Sequence, residues 1–101
     1  MAVMVIQEFA VEETDRSTNN YDAVGARLNA KQDPPDGLIV HTAGFTGRGS
    51  FRIAEVWESV GDWEAFRDGR LADAVKPVME ADPEAGPPDV YSYELHDVIR
   101  T

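Results

Sequence analysis

The stretch from residue 38 to residue 66 constrains this chain more than any other. It reads LIVHTAGF, then TGRGS, then FRIAEVWE, then SVGDWEAF. Leu38 to Phe45 and Phe51 to Glu58 are apolar runs rich in β-branched and aromatic residues, and they read as strands. Thr46 to Ser50 leaves room only for a tight connection, and Gly47 and Gly49 can take the positive φ that such a turn needs. The two strands therefore form an antiparallel hairpin. Ser59 with Asp62 three residues on resembles a capping box, with Asp in place of the usual Glu. The hairpin thus feeds straight into a helix. On that helix Trp63, Phe66, Leu71, Ala74, Val75 and Val78 share one broad face. Gly69 is a point where it can bend, and Pro77 should end or kink it.

The first half of the chain supplies one more strand and one more helix. Val3 to Phe9 is apolar apart from Gln7 and Glu8, a pattern expected of a strand covered on both faces. Glu12 to Asn20 is polar and offers Thr14, Asp15, Ser17 and Thr18 as N-caps. Tyr21, Val24 and Leu28 then recur at helical spacing, which predicts a helix from Thr18 to Lys31. Pro34, Pro35 and Gly37 close it off. After a Pro/Gly loop from Asp82 to Asp89, Val90 to Ile99 reads as the last strand, with Tyr91, Tyr93 and Leu95 alternating against Ser92, Glu94 and His96. The order β-α-β-β-α-β is the ferredoxin-like arrangement, an α+β fold. Right-handed crossovers then place both helices on one face of a four-stranded antiparallel sheet.

Composition bounds the partners. A chain of 101 residues is one domain, spanning residues 1–101, and buries roughly 65% of its unfolded surface. Nine Lys and Arg against nineteen Asp and Glu give a formal charge of −10, which repels phosphate backbones and anionic membranes and argues against nucleic acid and membrane partners. The sequence has no Cys, so thiol chemistry is excluded. No apolar run approaches the length of a membrane span, and the start MAVMVIQEF lacks the basic and cleavage features of a signal peptide. A soluble, cytoplasmic protein is expected.

Two helices cannot cover both faces of four strands. On the third strand, Ala54 and Val56 are small enough for close helix packing, which would leave Phe51, Ile53 and Trp57 on the open face. That face would carry an apolar patch larger than a soluble monomer usually exposes. Two copies packed sheet on sheet would bury it, so a homodimer with two-fold symmetry is expected.

The residues resemble a known group. Tyr21-Asp22-Ala23-Val24, Gly37-Leu38 and His41-Thr42-Ala43-Gly44, followed by the short glycine turn and FRIAEVWES, are similar to the dimeric α+β barrel superfamily, in particular the antibiotic-biosynthesis-monooxygenase-like proteins and their small actinobacterial members. The resemblance implies a homodimeric α+β barrel with a pocket in each subunit between sheet and helices. Activities in this superfamily include cofactor-independent oxygenation, haem degradation and isomerisation. The antibiotic-type and haem-degrading members use a His in the second helix. Here that helix reads Trp63-Glu64-Ala65-Phe66-Arg67-Asp68 and has none, so neither haem nor any other cofactor is expected.

His41 is the sharpest candidate for chemistry. It sits mid-strand in an apolar run, where a polar ring needs a partner, and an imidazole titrates near neutral pH. It would transfer protons, or be a structural histidine bonded to backbone or a nearby Glu. Glu55 lies between Ile53 and Trp57 on one predicted face, and would act as general base or orient His41. Arg67 and Arg70 fall on the arc of Trp63, Phe66 and Ala74, from which they would reach an anionic ligand or lay their stems on the core. Trp57, Trp63, Phe66, Tyr91 and Tyr93 would line a pocket for a small hydrophobic or aromatic ligand, or serve as core and interface. Two distant His and no Cys leave no metal-binding pattern, and no P-loop, dinucleotide fingerprint or nucleophile elbow is present. The expected activity is a cofactor-independent monooxygenase, cyclase or isomerase acting on an aromatic or polyketide-like compound. The alternative is a non-catalytic dimeric small-molecule-binding or structural partner protein.

Overall fold

The computed structural model of the chain describes residues 1–12 and 14–101. Glu13, within the polar segment that precedes the first helix, lies outside them. Four strands and the helical segments follow the expected order: β1 (Val3–Ala10), α1 (Asn19–Leu28), β2 (Leu38–Phe45), β3 (Ser50–Trp57), α2 (Val60–Phe66), α3 (Ala72–Ala81) and β4 (Asp89–Glu94). Between α2 and α3 the helix widens to a π-helical stretch, Arg67–Leu71, which contains Gly69. The sheet is fully antiparallel, in the order β2-β3-β1-β4. This is the ferredoxin-like α+β fold.

The elements start and stop for local reasons. The hairpin closes with Thr46 N–H donating to the Ser50 carbonyl at 3.0 Å, while Gly47 and Gly49 take φ of 78° and 79°. The Ser59 side chain accepts from the Asp62 N–H at 3.1 Å and caps α2 as expected. Helix α1 ends at Leu28, short of Lys31, because Asn29 adopts the left-handed conformation (φ 51°) and returns its N–H to the Gly25 carbonyl, the αL closure that Asn tolerates. Pro77 does not end its helix, which runs on to Ala81. Strand β4 stops at Glu94 and not Ile99. Its partner β1 begins at Val3, so pairing runs out at Val3–Glu94 and only the Leu95 N–H reaches further, to the Ala2 carbonyl at 2.9 Å.

The pleat of β3 is the reverse of the sequence expectation. Trp57 is fully buried and packs on Trp63 and Phe66 of α2, with ring centroids 5.9 and 5.3 Å away. Val3 and Val5 join them in one core cluster, with Leu28, Leu38 and Leu71 packed against it. Since Trp57 faces the helices, so do Glu55, Ile53 and Phe51, and Ala54 and Val56 face the open side. The physical reason is area. Burying an indole under a helix removes far more apolar surface from water than burying Ala and Val, and this outweighs the closer approach that small residues allow. Register transmits the choice across the sheet: Trp57 pairs with Val3 and Leu38, and Glu55 with Val5 and His41. The helix-free face carries Met4, Ile6, Val40, Ala54, Val56, Tyr91 and Tyr93, of which Val40, Tyr91 and Tyr93 are 46%, 50% and 50% exposed.

Among the described residues, no helix is long and apolar enough to cross a membrane.

Candidate functional site

His41, Glu55 and Tyr21 form one hydrogen-bonded chain. The hairpin turn fixes the first contact. With Phe45 opposite Phe51, counting back along both strands sets His41 opposite Glu55. Both point to the helix side, and Nδ1 of His41 lies 2.6 Å from Oε2 of Glu55. On the other side of the imidazole, Nε2 lies 2.6 Å from the hydroxyl oxygen of Tyr21, which reaches down from the first turn of α1. The Tyr21 ring stands edge-on to Phe51, with centroids 5.2 Å apart, and Phe51 in turn meets Phe45 at 4.9 Å.

Burial differs along this chain, and His41 is the most exposed of the three. Glu55 is 4% exposed, the only buried charged residue among those described. The His41 side chain is 38% exposed. Tyr21 is half-buried. The second oxygen of Glu55 has one long contact, from the Trp57 indole N–H at 3.4 Å, so His41 is its principal partner. An ionised carboxylate only accepts, and His41 therefore donates through Nδ1 and its neutral form presents a lone pair at Nε2 to the Tyr21 hydroxyl. Burial, then the negative charges of Glu55 and Asp22, push the Tyr21 phenol above its usual value. Such an arrangement can accept a proton at the imidazole and stabilise the resulting cation with the buried carboxylate.

The other candidates go elsewhere. Trp57, Trp63 and Phe66 come together, but as mutually packed core rings. Arg67 is exposed and closes on its neighbour Asp68 at 2.8 and 3.1 Å. Arg70 donates to the carbonyls of Leu28 and Asp33 at 2.9 and 2.8 Å, clipping the loop after α1 to the π-helical stretch. Tyr91 and Tyr93 lie on the helix-free face, across the sheet from His41, so the five aromatic candidates do not share one face. The reason is the register: Tyr91 and Tyr93 sit opposite Ile6 and Met4, which pair with Ala54 and Val56, so they share the face away from Trp57. Sequence reasoning did not single out Tyr21 as functional, because its spacing with Val24 and Leu28 reads as a helix core position. The available signal was a phenol on the element that must cross over His41.

Two cavities accompany the site without containing it. One of about 280 Å³ lies between α1 and α3, lined by Arg27, Leu28, Arg70, Asp73 and Ala74. A larger one of about 650 Å³ is bounded by Val40 and Val56 and by Val98, Ile99 and Arg100 of the C-terminal segment, where Arg100 bonds Glu58 at 3.0 Å. No group of three or more His, Cys, Asp or Glu able to hold a metal ion occurs among the described residues.

No known family's model matches the sequence, and no curated protein matches it significantly. Solved structures do. Rv0793 from Mycobacterium tuberculosis superposes with a TM-score of 0.69 at 16% identity, covering 99% of this chain and 100% of its own. SnoaB, a cofactor-independent oxygenase from Streptomyces nogalater, superposes at 0.62 and 16% identity, covering 99% and 98%. A protein assigned as an antibiotic biosynthesis monooxygenase from Deinococcus radiodurans gives 0.65 at 16% identity, covering 98% and 97%. The fold is the one these proteins share. The structural likeness takes in proteins from Deinococcus and Chloroflexus as well and does not single out the small actinobacterial members.

Proposed function

We propose that this protein is a small-molecule enzyme that transfers protons without metal or organic cofactor, with the His41–Glu55 pair at its centre. The observation that carries the reading is Glu55 itself, a buried carboxylate held 2.6 Å from an imidazole that is open to solvent on one side. A buried charge is expensive, and an apolar residue of similar volume is often as stable or more so. Retaining Glu next to a solvent-reachable His is what proton transfer needs. The carboxylate fixes the tautomer and stabilises the imidazolium formed when the ring takes a proton.

The substrate class this reading favours is a planar aromatic ketone of polyketide type with an acidic C–H. Removing that proton gives a delocalised carbanion. With dioxygen as the oxidant, a CH2 group becomes C=O and the second product is water, which is oxygenation. Without dioxygen the same step starts a cyclisation or isomerisation. Fold likeness to a cofactor-independent oxygenase supports the first. Anthrone, a tricyclic ketone with such a CH2, is the probe. The test is its conversion in air by the wild type and by His41→Ala, whose turnover should be at least about 100-fold lower. Equal rates would refute the assignment.

A second reading, a non-catalytic ligand-binding protein, is favoured by the larger cavity lying on the helix-free side of the sheet, away from His41. A thermal-shift screen followed by product analysis separates the two, since a binder stabilises with its ligand and returns it unchanged. In either case the working unit proposed is a cytoplasmic homodimer that packs the helix-free face of one copy on that of the other, which half-exposed Val40, Tyr91 and Tyr93 support.

A further inference from the structure

We infer that Tyr21 is the residue of this site that touches the substrate, with His41 acting behind it. The inference rests on the proton-transfer reading above and adds the direction in which the proton travels.

Both nitrogens of His41 are engaged, Nδ1 by Glu55 and Nε2 by Tyr21, each at 2.6 Å. A substrate proton can meet a lone pair on His41 only if Tyr21 leaves. Tyr21 is not free to swing aside without loss, since its backbone belongs to the first turn of α1 and its ring rests edge-on against Phe51. The phenol oxygen is the end of the chain farthest from Glu55. It has one proton, directed at Nε2, and two lone pairs. The step is therefore a relay. The substrate's proton goes to the Tyr21 oxygen as the Tyr21 proton goes to Nε2 of His41. The products are a substrate anion, a neutral phenol and an imidazolium paired with Glu55, and charge and protons balance with no oxidant in this step.

The surroundings fit that role better than a standing phenolate. Burial and the charges of Glu55 and Asp22 keep Tyr21 protonated, so it becomes a base only while His41 takes its proton. The buried carboxylate then has a purpose beyond its own pairing, because it faces the imidazolium formed when Nε2 takes that proton. Phe51, edge-on to the Tyr21 ring, and Phe45 behind it at 4.9 Å make the surroundings of that ring apolar. They suit a substrate whose acidic C–H or O–H adjoins an aromatic ring, and favour a neutral substrate over a polyanion in a chain of net charge −10.

The test is hydrogen exchange of the probe's CH2 from D2O without oxygen, which reads proton transfer alone. Tyr21→Phe keeps the ring and its contact with Phe51. It should lose exchange about 100-fold in kcat with KM changed less than about 3-fold. Wild-type exchange in Tyr21→Phe but not in His41→Ala would overturn the inference and leave the proton-transfer reading standing. A second measurement needs no turnover. In protein labelled with 13C at the tyrosine Cζ, saturating 1,8-dihydroxyanthraquinone, the planar product-like probe, should shift the Tyr21 resonance. Saturable binding at this site without that shift would overturn the inference. A wild type that neither exchanges the first probe nor binds the second would end the functional reading and the inference with it.

Discussion

Removing His41 should destabilise the protein far more than removing Glu55 together with it. In His41→Ala the Glu55 carboxylate stays buried with only the Trp57 indole at 3.4 Å for company. Breaking a buried pair by deleting one partner costs about 3–5 kcal/mol. Because His41 is 38% exposed, water enters the space left behind, and a cost of about 2–3 kcal/mol is the better figure. For a domain near 100 residues this corresponds to a fall in Tm of roughly 10–20 °C. In the double variant His41→Ala/Glu55→Leu no charge is stranded, and stability should return to within about 1 kcal/mol of the wild type. Urea unfolding followed by the fluorescence of Trp57 and Trp63, both buried, measures all four corners of the cycle. The expected coupling is about 2 kcal/mol. A single variant within about 0.5 kcal/mol of wild type, or a double variant as unstable as the sum of its parts, would refute the view of Glu55 as a charge that His41 compensates.

Three further outcomes are expected. Trp57→Ala empties the centre of the ring cluster and should cost about 3–5 kcal/mol in urea unfolding, enough to leave the chain marginally folded. The Tyr21 phenol is pushed above its usual value in the fold, so the folded chain holds that proton longer than the unfolded one. Stability contributed by it is fully present below about pH 10 and falls as pH rises through the folded value, and Tyr21→Phe should flatten that fall in Tm measured against pH. Replacing Tyr91 and Tyr93 together by Lys puts like charges on the proposed two-fold interface and should convert a dimer to a monomer in light scattering, with the far-UV circular dichroism unchanged.

Much of the fold was legible because its signals are local. The β2–β3 hairpin is written in two β-branched runs and two glycines, and the start of α2 in Ser59 and Asp62. What was not local was misread. Which face of β3 meets the helices depends on how Trp57 competes with Ala54 and Val56 for space beneath α2, and period-2 alternation gives the two sets without saying which is inside. The end of β4 depends on where β1 begins, since a strand lasts only as long as its partner. The site was partly legible for the same reason. His41 and Glu55 pair through a hairpin whose short turn fixes the register. Tyr21 joins them only through the packing of a helix across the sheet, and no spacing in the sequence encodes that contact. Tyr91 and Tyr93 alternate as a pocket wall would, yet the pleat turns them to the opposite face.

The central claim, a relay running from Glu55 through His41 to Tyr21, is tested most directly by the protonation of one ring. In 15N-labelled protein at alkaline pH, the two nitrogens of His41 can be told apart by their shifts, with His41→Ala giving the assignment against His96. The account predicts a proton on Nδ1, facing Glu55, and an accepting lone pair on Nε2, facing Tyr21. A neutral ring carrying its proton on Nε2, or one averaging between tautomers as in free histidine, would contradict it.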